Sequence, residues 1–519
     1  MNSAFLLLAI VVAAICAGGL VAVYGARGQR KRGADSHVLP PQPAETALDH
    51  IFSESASRQP DATGLRIISD DLEAFRIRLM LARDAGRSLD LQYYYWKSDT
   101  TGKTLWRELI AAADRGVRVR LLLDDINAFG FDSSYLALDA HPNIAVRLFN
   151  PARSRTGMIR RGIELVFRYV SATRRMHNKS WIADGRVAVI GGRNIGDAYF
   201  GASSGANFMD VDMLLSGRAV GDANRIFDSY WNSASALPIR ALHRVRRGNI
   251  AKLTLRLDRH CASPAVRSYL AHVAAQPGAD QPLDANHLEW IADAEVIADP
   301  AEKAMMTGHE HWIANRIVEI IRAGRSELII ASPYFIPGNE GLKLFSRMSG
   351  HGSHIRVLTN SLAATDVLMV HSAYSRYRRA LLGHGISLYE QKPSQGRNRI
   401  SIFGSRTASL HTKALVADRN IGFVGSFNLD PRSASINTEM GVVFRSATLA
   451  DSLAHILEQQ IAGAYELAPA GTSLRWYEPF SDMDAGSTFR NWYGHEPMAR
   501  PGRRLASWLA RFLPIESQL

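Results

Sequence analysis

Cysteine is almost missing from this chain. Cys16 and Cys261 are the only two in 519 residues, too few for a disulfide framework or a Cys-rich zinc module. The metal signature H-E-x-x-H is absent too, and His309-Glu310-His311 reads as polar surface or loop rather than as a ligand pair. Gly191-Gly192-Arg193-Asn194-Ile195-Gly196 misplaces the third glycine and the acidic partner of a dinucleotide fingerprint. Lysine is scarce, nine residues against 52 arginines, and Asp plus Glu (49) falls short of Lys plus Arg (61), which leaves a net charge of +12. That sign suits an anionic partner, nucleic acid or anionic lipid, and does not choose between them. What is present is ordinary: 46% hydrophobic and 21% charged residues, which excludes a disordered, collagenous or mucin-like chain. The length allows roughly two to four domains.

The N-terminus favours lipid. Ala4 to Val23 is a run of twenty residues without a charge, the length a helix needs to cross a bilayer. Arg27, Arg30, Lys31 and Arg32 follow. A cleaved secretory signal would begin with positive charge, and Met1-Asn2-Ser3 has none in its side chains; no clean A-x-A site follows. A lipoprotein signal would place a small residue before its cysteine, and Ile15 precedes Cys16. A retained anchor fits span and flanks, and the positive-inside rule puts the remainder on the cytoplasmic side. Gly25 to about Gln59 mixes Gly, Pro, Ser and charge without periodicity and reads as a linker.

The rest reads as one α/β unit used twice. Ala85-Gly86-Arg87-Ser88 and Ala323-Gly324-Arg325-Ser326 each follow an amphipathic stretch and open a β-rich run. A second helix and a buried-strand pattern come next in both copies, which argues layered α/β structure with a largely buried sheet. About ninety residues further on stand His177-Asn178-Lys179-Ser180-Trp181-Ile182-Ala183-Asp184 and His411-Thr412-Lys413-Ala414-Leu415-Val416-Ala417-Asp418, both H-x-K-x-x-x-x-D. One chance match is expected in roughly 2% of such chains, and two at matching offsets far more rarely. Gly191-Gly192-Arg193-Asn194 and Gly425-Ser426-Phe427-Asn428 extend the agreement, each Asn seventeen residues past its His. Side chains at i and i+2 of a strand share a face, so each His and Lys can enter one pocket. Asp184-Gly185 and Asp418-Arg419-Asn420 are turn signals between that strand and its return.

These paired motifs resemble the phospholipase D superfamily, the "HKD" enzymes. Gly425 to Ser433 and Asn437-Thr438-Glu439-Met440-Gly441 resemble the bacterial cardiolipin synthases. Met176 to Ser180, Gly191 to Asp197 and the ending Leu513-Pro514-Ile515-Glu516 point to the cardiolipin synthase C-like branch. The resemblance covers roughly residues 65 to 519. It implies two α/β/α sandwich halves about a pseudo-twofold axis with one site between them. The N-terminal apolar segment, read above as a transmembrane helix, is a departure from that pattern, since it is not expected in every member of the branch. The expected division is 1–26 transmembrane segment, 27–62 linker, 63–236 first half, 237–310 connector or insertion, 311–465 second half, and 466–519 a C-terminal tail. In that tail Arg503 to Leu513 reads as an amphipathic helix that packs on the protein or rests on the bilayer. The arginine-rich stretch from Arg153 to Arg175 reads equally as a membrane-surface segment or a solvated basic face.

The chemistry the resemblance implies is phosphodiester exchange without a cofactor or metal. One histidine attacks phosphorus; the other protonates the leaving alcohol and then deprotonates the incoming one. The residues carried over are His177, Lys179, Asp184, His411, Lys413 and Asp418, with Asn194 and Asn428 on the phosphate oxygens. Asp210 and Glu439 are the acidic residues expected to orient the histidines, and the motif aspartates are expected to hold the hairpin and the sister half. The implied activity is cardiolipin synthesis from anionic phospholipids at the bacterial inner membrane, with phosphatidylglycerol or phosphatidylethanolamine as donor. A phospholipase D-type hydrolase and a nuclease are the alternatives. The transmembrane run counts against nucleic acid. Sequence does not say which histidine is the nucleophile or whether an accessory protein takes part.

Overall fold

The computed structural model describes residues 33–519 apart from 129, 153–172, 206, 244–247, 277, 279–282, 306–311, 394–409, 479–490 and 514–515. The apolar run from Ala4 to Val23, His309 to His311 and most of the arginine-rich stretch lie outside the described residues. Among those described, no helix is long and apolar enough to cross a membrane. Arg174 and Arg175, which close the arginine-rich stretch, are buried. Arg174 donates to the Lys303 carbonyl at 2.9 Å, so these two do not belong to a solvated face.

Two mixed sheets carry the fold. The first holds β1 (Thr63–Ile68), β2 (Ser88–Tyr93), β3 (Arg118–Asp124), β4 (Ile144–Phe149), β5 (Ser180–Ala183), β6 (Val187–Gly191), β7 (Asp212–Gly217), β8 (Ala236–Pro238) and β9 (Glu289–Ile291). The second holds β10 (Ala294–Ala298), β11 (Glu327–Ala331), β12 (His354–Asn360), β13 (Ser387–Gln391), β14 (Ala414–Ala417), β15 (Ile421–Gly425), β16 (Met440–Arg445), β17 (Tyr465–Ala470), β18 (Ser473–Tyr477) and β19 (Trp492–Tyr493). The order β4-β3-β2-β5-β6-β7-β1 in one is matched by β13-β12-β11-β14-β15-β16-β10 in the other. The central pairs β2–β3 and β11–β12 are parallel, so each needs a crossover, supplied by the helices Thr100–Asp114 and Gly338–Gly350.

Strand alternation sorts the core into layers. In β5, Trp181 and Ala183 face an outer cluster under the helices Asp71–Asp84 and Thr100–Asp114, while Ile182 faces inward. In β14, Leu415 and Ala417 face the opposite outer cluster, while Ala414 and Val416 face inward. The inner cluster draws Ile190, Met213 and Trp231 from the first half and Val424, Met440 and Leu453 from the second. Burying one such side chain is worth roughly 1.5–3 kcal/mol, so this shared apolar layer holds the halves in register.

The motif aspartates act at the far ends of the strands from the histidines. The β5–β6 turn has Asp184 and Gly185 at φ of 54° and 64°, and the β14–β15 turn has Asp418 and Arg419 at 51° and 47°. The Asp184 carboxylate accepts from the backbone N–H of Gly86 (3.0 Å), Arg87 (2.8 Å) and Ser88 (2.8 Å). Asp418 accepts from Arg325 (2.9 Å), Ser326 (2.8 Å) and Glu327 (2.9 Å). The A-G-R-S repeat and the aspartate of the motif are therefore one device, an anion seated in a cradle of backbone donors. This corrects the expectation that the aspartates brace the sister half, since each binds the cradle of its own half. With their carboxylates engaged by these turns, the geometry supports a structural part for Asp184 and Asp418.

Three segment boundaries differ from expectation. The stretch read as a linker contains the helix Ala47–Arg58, capped by Thr46 with Asp49 and burying Leu48 and Phe52. Its apolar face, Leu48, Ile51 and Phe52, spans a single turn, too short to register as periodicity. The stretch read as a connector lays the helices Ile250–Cys261 and Pro264–Ala274 on the first half, adds β9 to the first sheet and β10 to the second. The second half thus begins before residue 311. The C-terminal stretch extends the second sheet with β17–β19 and seats the helix Pro501–Ala510 on Leu368–Tyr374, with Ser507 and Ser372 hydroxyls 3.0 Å apart.

Asp184→Ala removes three charge-assisted bonds to the backbone of Gly86, Arg87 and Ser88. It is expected to lower stability by about 3 kcal/mol, seen as a lower midpoint in a thermal scan, while the protein still folded retains turnover. An unchanged midpoint with abolished turnover would return Asp184 to the catalytic set.

Candidate active site

The two H-x-K segments lie one residue ahead of β5 and β14, where the ladder has not yet begun. Their backbones are tied instead to the other half. His177 N–H donates to the Thr438 carbonyl at 2.8 Å, and His411 N–H to the Met209 carbonyl at 2.8 Å. The side chains repeat the exchange. His177 Nδ1 lies 2.8 Å from Glu439 Oε2, and His411 Nδ1 lies 2.5 Å from Asp210 Oδ2. Each histidine is thus held by a carboxylate from the opposite half. Asp212, two residues past Asp210, turns away and pairs with Arg78 at 2.8 Å.

The surroundings are closed. Lys179 and Lys413 are 1% and 2% exposed, while the His177 and His411 side chains keep 12% and 15%. Tyr94 meets the His177 ring at 5.0 Å between centroids; Tyr199 and Phe208 meet His411 at 5.1 and 5.2 Å. Each lysine folds back on its own histidine carbonyl, at 2.5 Å for Lys179 and 2.6 Å for Lys413. Asn194 and Asn428 are buried, each with an amide oxygen that has no hydrogen-bond partner among the described residues. Asn194 Nδ2 donates to the Tyr199 hydroxyl at 3.1 Å.

Burial sets the protonation states. It pulls His177 down to about 4, against the opposing pull of Glu439, and pulls His411 well below its usual value with help from Lys413 and Lys179. Burial also lowers Lys413 to about 8 and Lys179 well below the usual lysine range. The two carboxylates then part company. Burial raises both, but His177 and Lys179 hold Glu439 below the ordinary glutamate value, whereas burial wins at Asp210 and pushes it up.

The difference has a structural origin. Glu439 Oε2 accepts from the Ser426 hydroxyl at 2.5 Å and Oε1 from the Ser433 hydroxyl at 3.0 Å. Its backbone N–H is fixed by Asp299, itself paired with Lys303 at 2.9 Å. The first-half counterpart of Ser426 is Gly192, where an added Cβ would overlap the Asp210 carboxylate. In the sequence Ser426 and Ser433 stand only as letters of the motif, and Asp299 and Lys303 lie outside any motif. Ser426 and Ser433 lie within 13 residues of Glu439, whereas Asp299 reaches it across 140. Elsewhere, His371, Glu390 and Glu496 converge closely enough to suggest a cation site. The Arg378 guanidinium already lies among them, 2.6 Å from both carboxylates and 2.8 Å from His371 Nε2.

A pair of neutral imidazoles, each hydrogen-bonded through Nδ1 to a carboxylate and flanked by buried lysine, is equipped for nucleophilic and acid–base work on an anion. Comparison with known proteins agrees. The chain matches the family described as "Cardiolipin synthase, PLD-like domain" over residues 79–231 and 317–461. It is 39% identical to cardiolipin synthase C of Escherichia coli (strain K12) over 467 residues, 89% of this chain and 97% of that protein. It is 24% identical to cardiolipin synthase 1 of Bacillus anthracis over 394 residues, 75% of this chain and 65% of that one. The crystal structure of phosphatidylserine synthase from Haemophilus influenzae Rd KW20 shares the fold, with a TM-score of 0.54 over 79% of this chain and 90% of its own at 11% identity. With both motifs intact, their histidines reciprocally held, and the match running through each half, this chain belongs to the phospholipase D-like cardiolipin synthase family.

Proposed function

We propose that this chain is a phosphatidyltransferase that makes cardiolipin at the bacterial cytoplasmic membrane. The observation that carries the reading is the crossed pairing, His177 with Glu439 and His411 with Asp210. It supports a pseudo-twofold arrangement with a single site, since neither half supplies a histidine together with its carboxylate. The donor is phosphatidylglycerol or phosphatidylethanolamine, and the acceptor is the free hydroxyl of phosphatidylglycerol. The uncharged run from Ala4 to Val23 and the basic residues after it support a single-pass anchor with the catalytic part on the cytoplasmic side.

The asymmetry of the two pairs supports a division of roles. Glu439 stays ionised while His177 stays neutral, so His177 Nδ1–H donates to a carboxylate and Nε2 keeps its lone pair. His177 is the nucleophile: Nε2 bonds to phosphorus as the bond from phosphorus to the leaving alkoxide breaks, giving a phosphohistidine. Burial pushes Asp210 up, the direction that favours a proton on the His411–Asp210 pair; in this reading that proton passes to the leaving alcohol. Lys413 and Lys179 are among the charges that depress His411. A bound phosphodiester neutralises both and raises the proton affinity of His411 when it is needed. The same pair then takes the proton of the incoming hydroxyl, whose oxygen displaces His177. Asn194, Asn428 and the two lysines stabilise the charge on the non-bridging oxygens. Closure around the imidazoles favours a lipid alcohol over water as acceptor. Asp184 and Asp418 stay outside the reaction.

The direct experiment reconstitutes the full chain in vesicles with phosphatidylglycerol alone, then with phosphatidylethanolamine. Cardiolipin is expected from the parent, with a loss of at least roughly 1,000-fold in His177→Ala and His411→Ala. Phosphatidic acid as the only product would make the site a hydrolase, and DNA cleavage without lipid product would make it a nuclease. A phosphatidyl ester of p-nitrophenol separates the roles, because nitrophenolate leaves without a proton. His411→Asn should then retain labelled phosphohistidine and His177→Asn should not; the reverse pattern would exchange the two assignments.

The pH profile follows from the same groups. His177 must be neutral to attack, so kcat/KM is expected to rise as pH climbs through about 4. Lys413 must be charged to meet the phosphate, so kcat/KM falls as pH climbs through about 8. Bound anion raises the lysine pKa, which places the fall in kcat at higher pH than the fall in kcat/KM. A kcat/KM that does not fall until well above pH 8 would remove Lys413 from binding.

A further inference from the structure

The helix Pro501–Ala510 and the two residues after it expose Leu505, Trp508, Leu509 and Phe512, at 57%, 52%, 54% and 71%. Their i, i+3, i+4, i+7 spacing makes one continuous apolar stripe. A stripe of this kind on a water-soluble surface marks an interaction site. The next face of the same helix, through Arg504, Ser507, Trp508 and Arg511, lines a cavity of about 690 Å³.

That cavity is strongly basic. Arg378 in its wall is spoken for by Glu390 and Glu496, and Arg376 by Glu516 at 2.9 Å. Arg379, Arg504 and Arg511 have no carboxylate partner among the described residues. Arg379 donates to the Thr472 carbonyl and Arg511 to the Ser375 carbonyl at 3.0 Å, while Arg504 Nε is buried without a hydrogen-bond partner. Three unneutralised guanidinium groups around one opening call for an anion with several acceptor oxygens. Trp508 lies on both features, lining the cavity and exposed on the stripe.

We propose that this cavity and stripe bind an anionic phospholipid of the bilayer surface, at a site apart from the catalytic pair. The phosphate enters among Arg379, Arg504 and Arg511, and the acyl chains lie along Trp508, Leu505, Leu509 and Phe512. Charge complementarity and the adjacency of an arginine cavity to an apolar stripe select this occupant over a second protein surface. The helix also bears on the catalytic centre. Arg503 donates to the carbonyls of Leu362 (2.8 Å) and Thr365 (2.6 Å), and the next residue, Asp366, accepts from the Tyr334 hydroxyl at 2.8 Å. Asp366 is close enough to stabilise the charge on Lys413. Lipid held here seats the loop before the catalytic centre against the membrane. The site does not depend on which phospholipid reaction the histidines perform.

The test uses the full chain with Cys16→Ser, Cys261→Ser and Phe512→Cys, labelled at residue 512 with an environment-sensitive dye. It is reconstituted in phosphatidylcholine vesicles with increasing phosphatidylserine. The dye is expected to shift to the blue and to be quenched by lipid-borne spin label, with inorganic phosphate alone having no effect. Arg504→Gln and Arg511→Gln should each raise the phosphatidylserine fraction for half the shift by roughly fivefold. Arg504→Lys should stay near the parent, and Arg322→Gln, on an exposed site of another helix, should leave it unchanged. Quenching by aqueous iodide only would overturn the proposal. So would a blue-shifted dye that neither quencher reaches, since protein would then cover the stripe. Equal lipid dependence in parent and Arg→Gln variants would overturn the arginine site.

Discussion

Two hydrogen bonds that cross between the halves, His177 to Glu439 and His411 to Asp210, are what the rest of the structure serves. They need two carboxylates and two imidazoles buried at one place, each drawn from a different part of the chain. Burying such groups unpaired is costly. The fold meets the requirement by stacking two sheets on one apolar layer and letting the extended ends of their strands meet. The backbone bonds from His177 to Thr438 and from His411 to Met209 fix those ends before any side chain is considered. Rigid placement of this kind is what a site needs if it is to accept a charged substrate without rearranging.

Duplication made much of this legible in the sequence. The strand alternation of Trp181, Ile182 and Ala183 and of Ala414, Leu415 and Val416 is a local signal, and local signals survive in a linear reading. The repeated A-G-R-S and H-x-K-x-x-x-x-D were visible for the same reason. Their connection was not, because Asp184 reaches back to Ser88 across 96 residues. The crossing of the histidines was equally hidden: Glu439 is 28 residues past His411 and yet serves His177. The helix Ala47–Arg58 escaped because its apolar face is a single turn, Leu48, Ile51 and Phe52, amid a polar stretch. β10 escaped because five residues between two irregular segments carry no periodicity.

The halves are alike in topology and unlike in charge. Burial raises both carboxylates, but His177 and Lys179 hold Glu439 below the ordinary glutamate value while burial wins at Asp210. A symmetric scaffold thereby carries two carboxylate–imidazole pairs in different electrostatic surroundings. The sheets supply position, and a few hydroxyls and lysines supply the difference.

Gly192 and Ser426 show where that difference is built into the two halves. Gly192 is bare because Asp210 occupies the space a side chain would take, and Ser426 is present because its hydroxyl anchors the longer Glu439. A serine at 192 would drive its Cβ into the Asp210 carboxylate, and a glycine at 426 would strip Glu439 of one of its hydroxyl donors. The two strands therefore match in backbone and are not interchangeable in side chain: each is fitted to the length of the acid it faces.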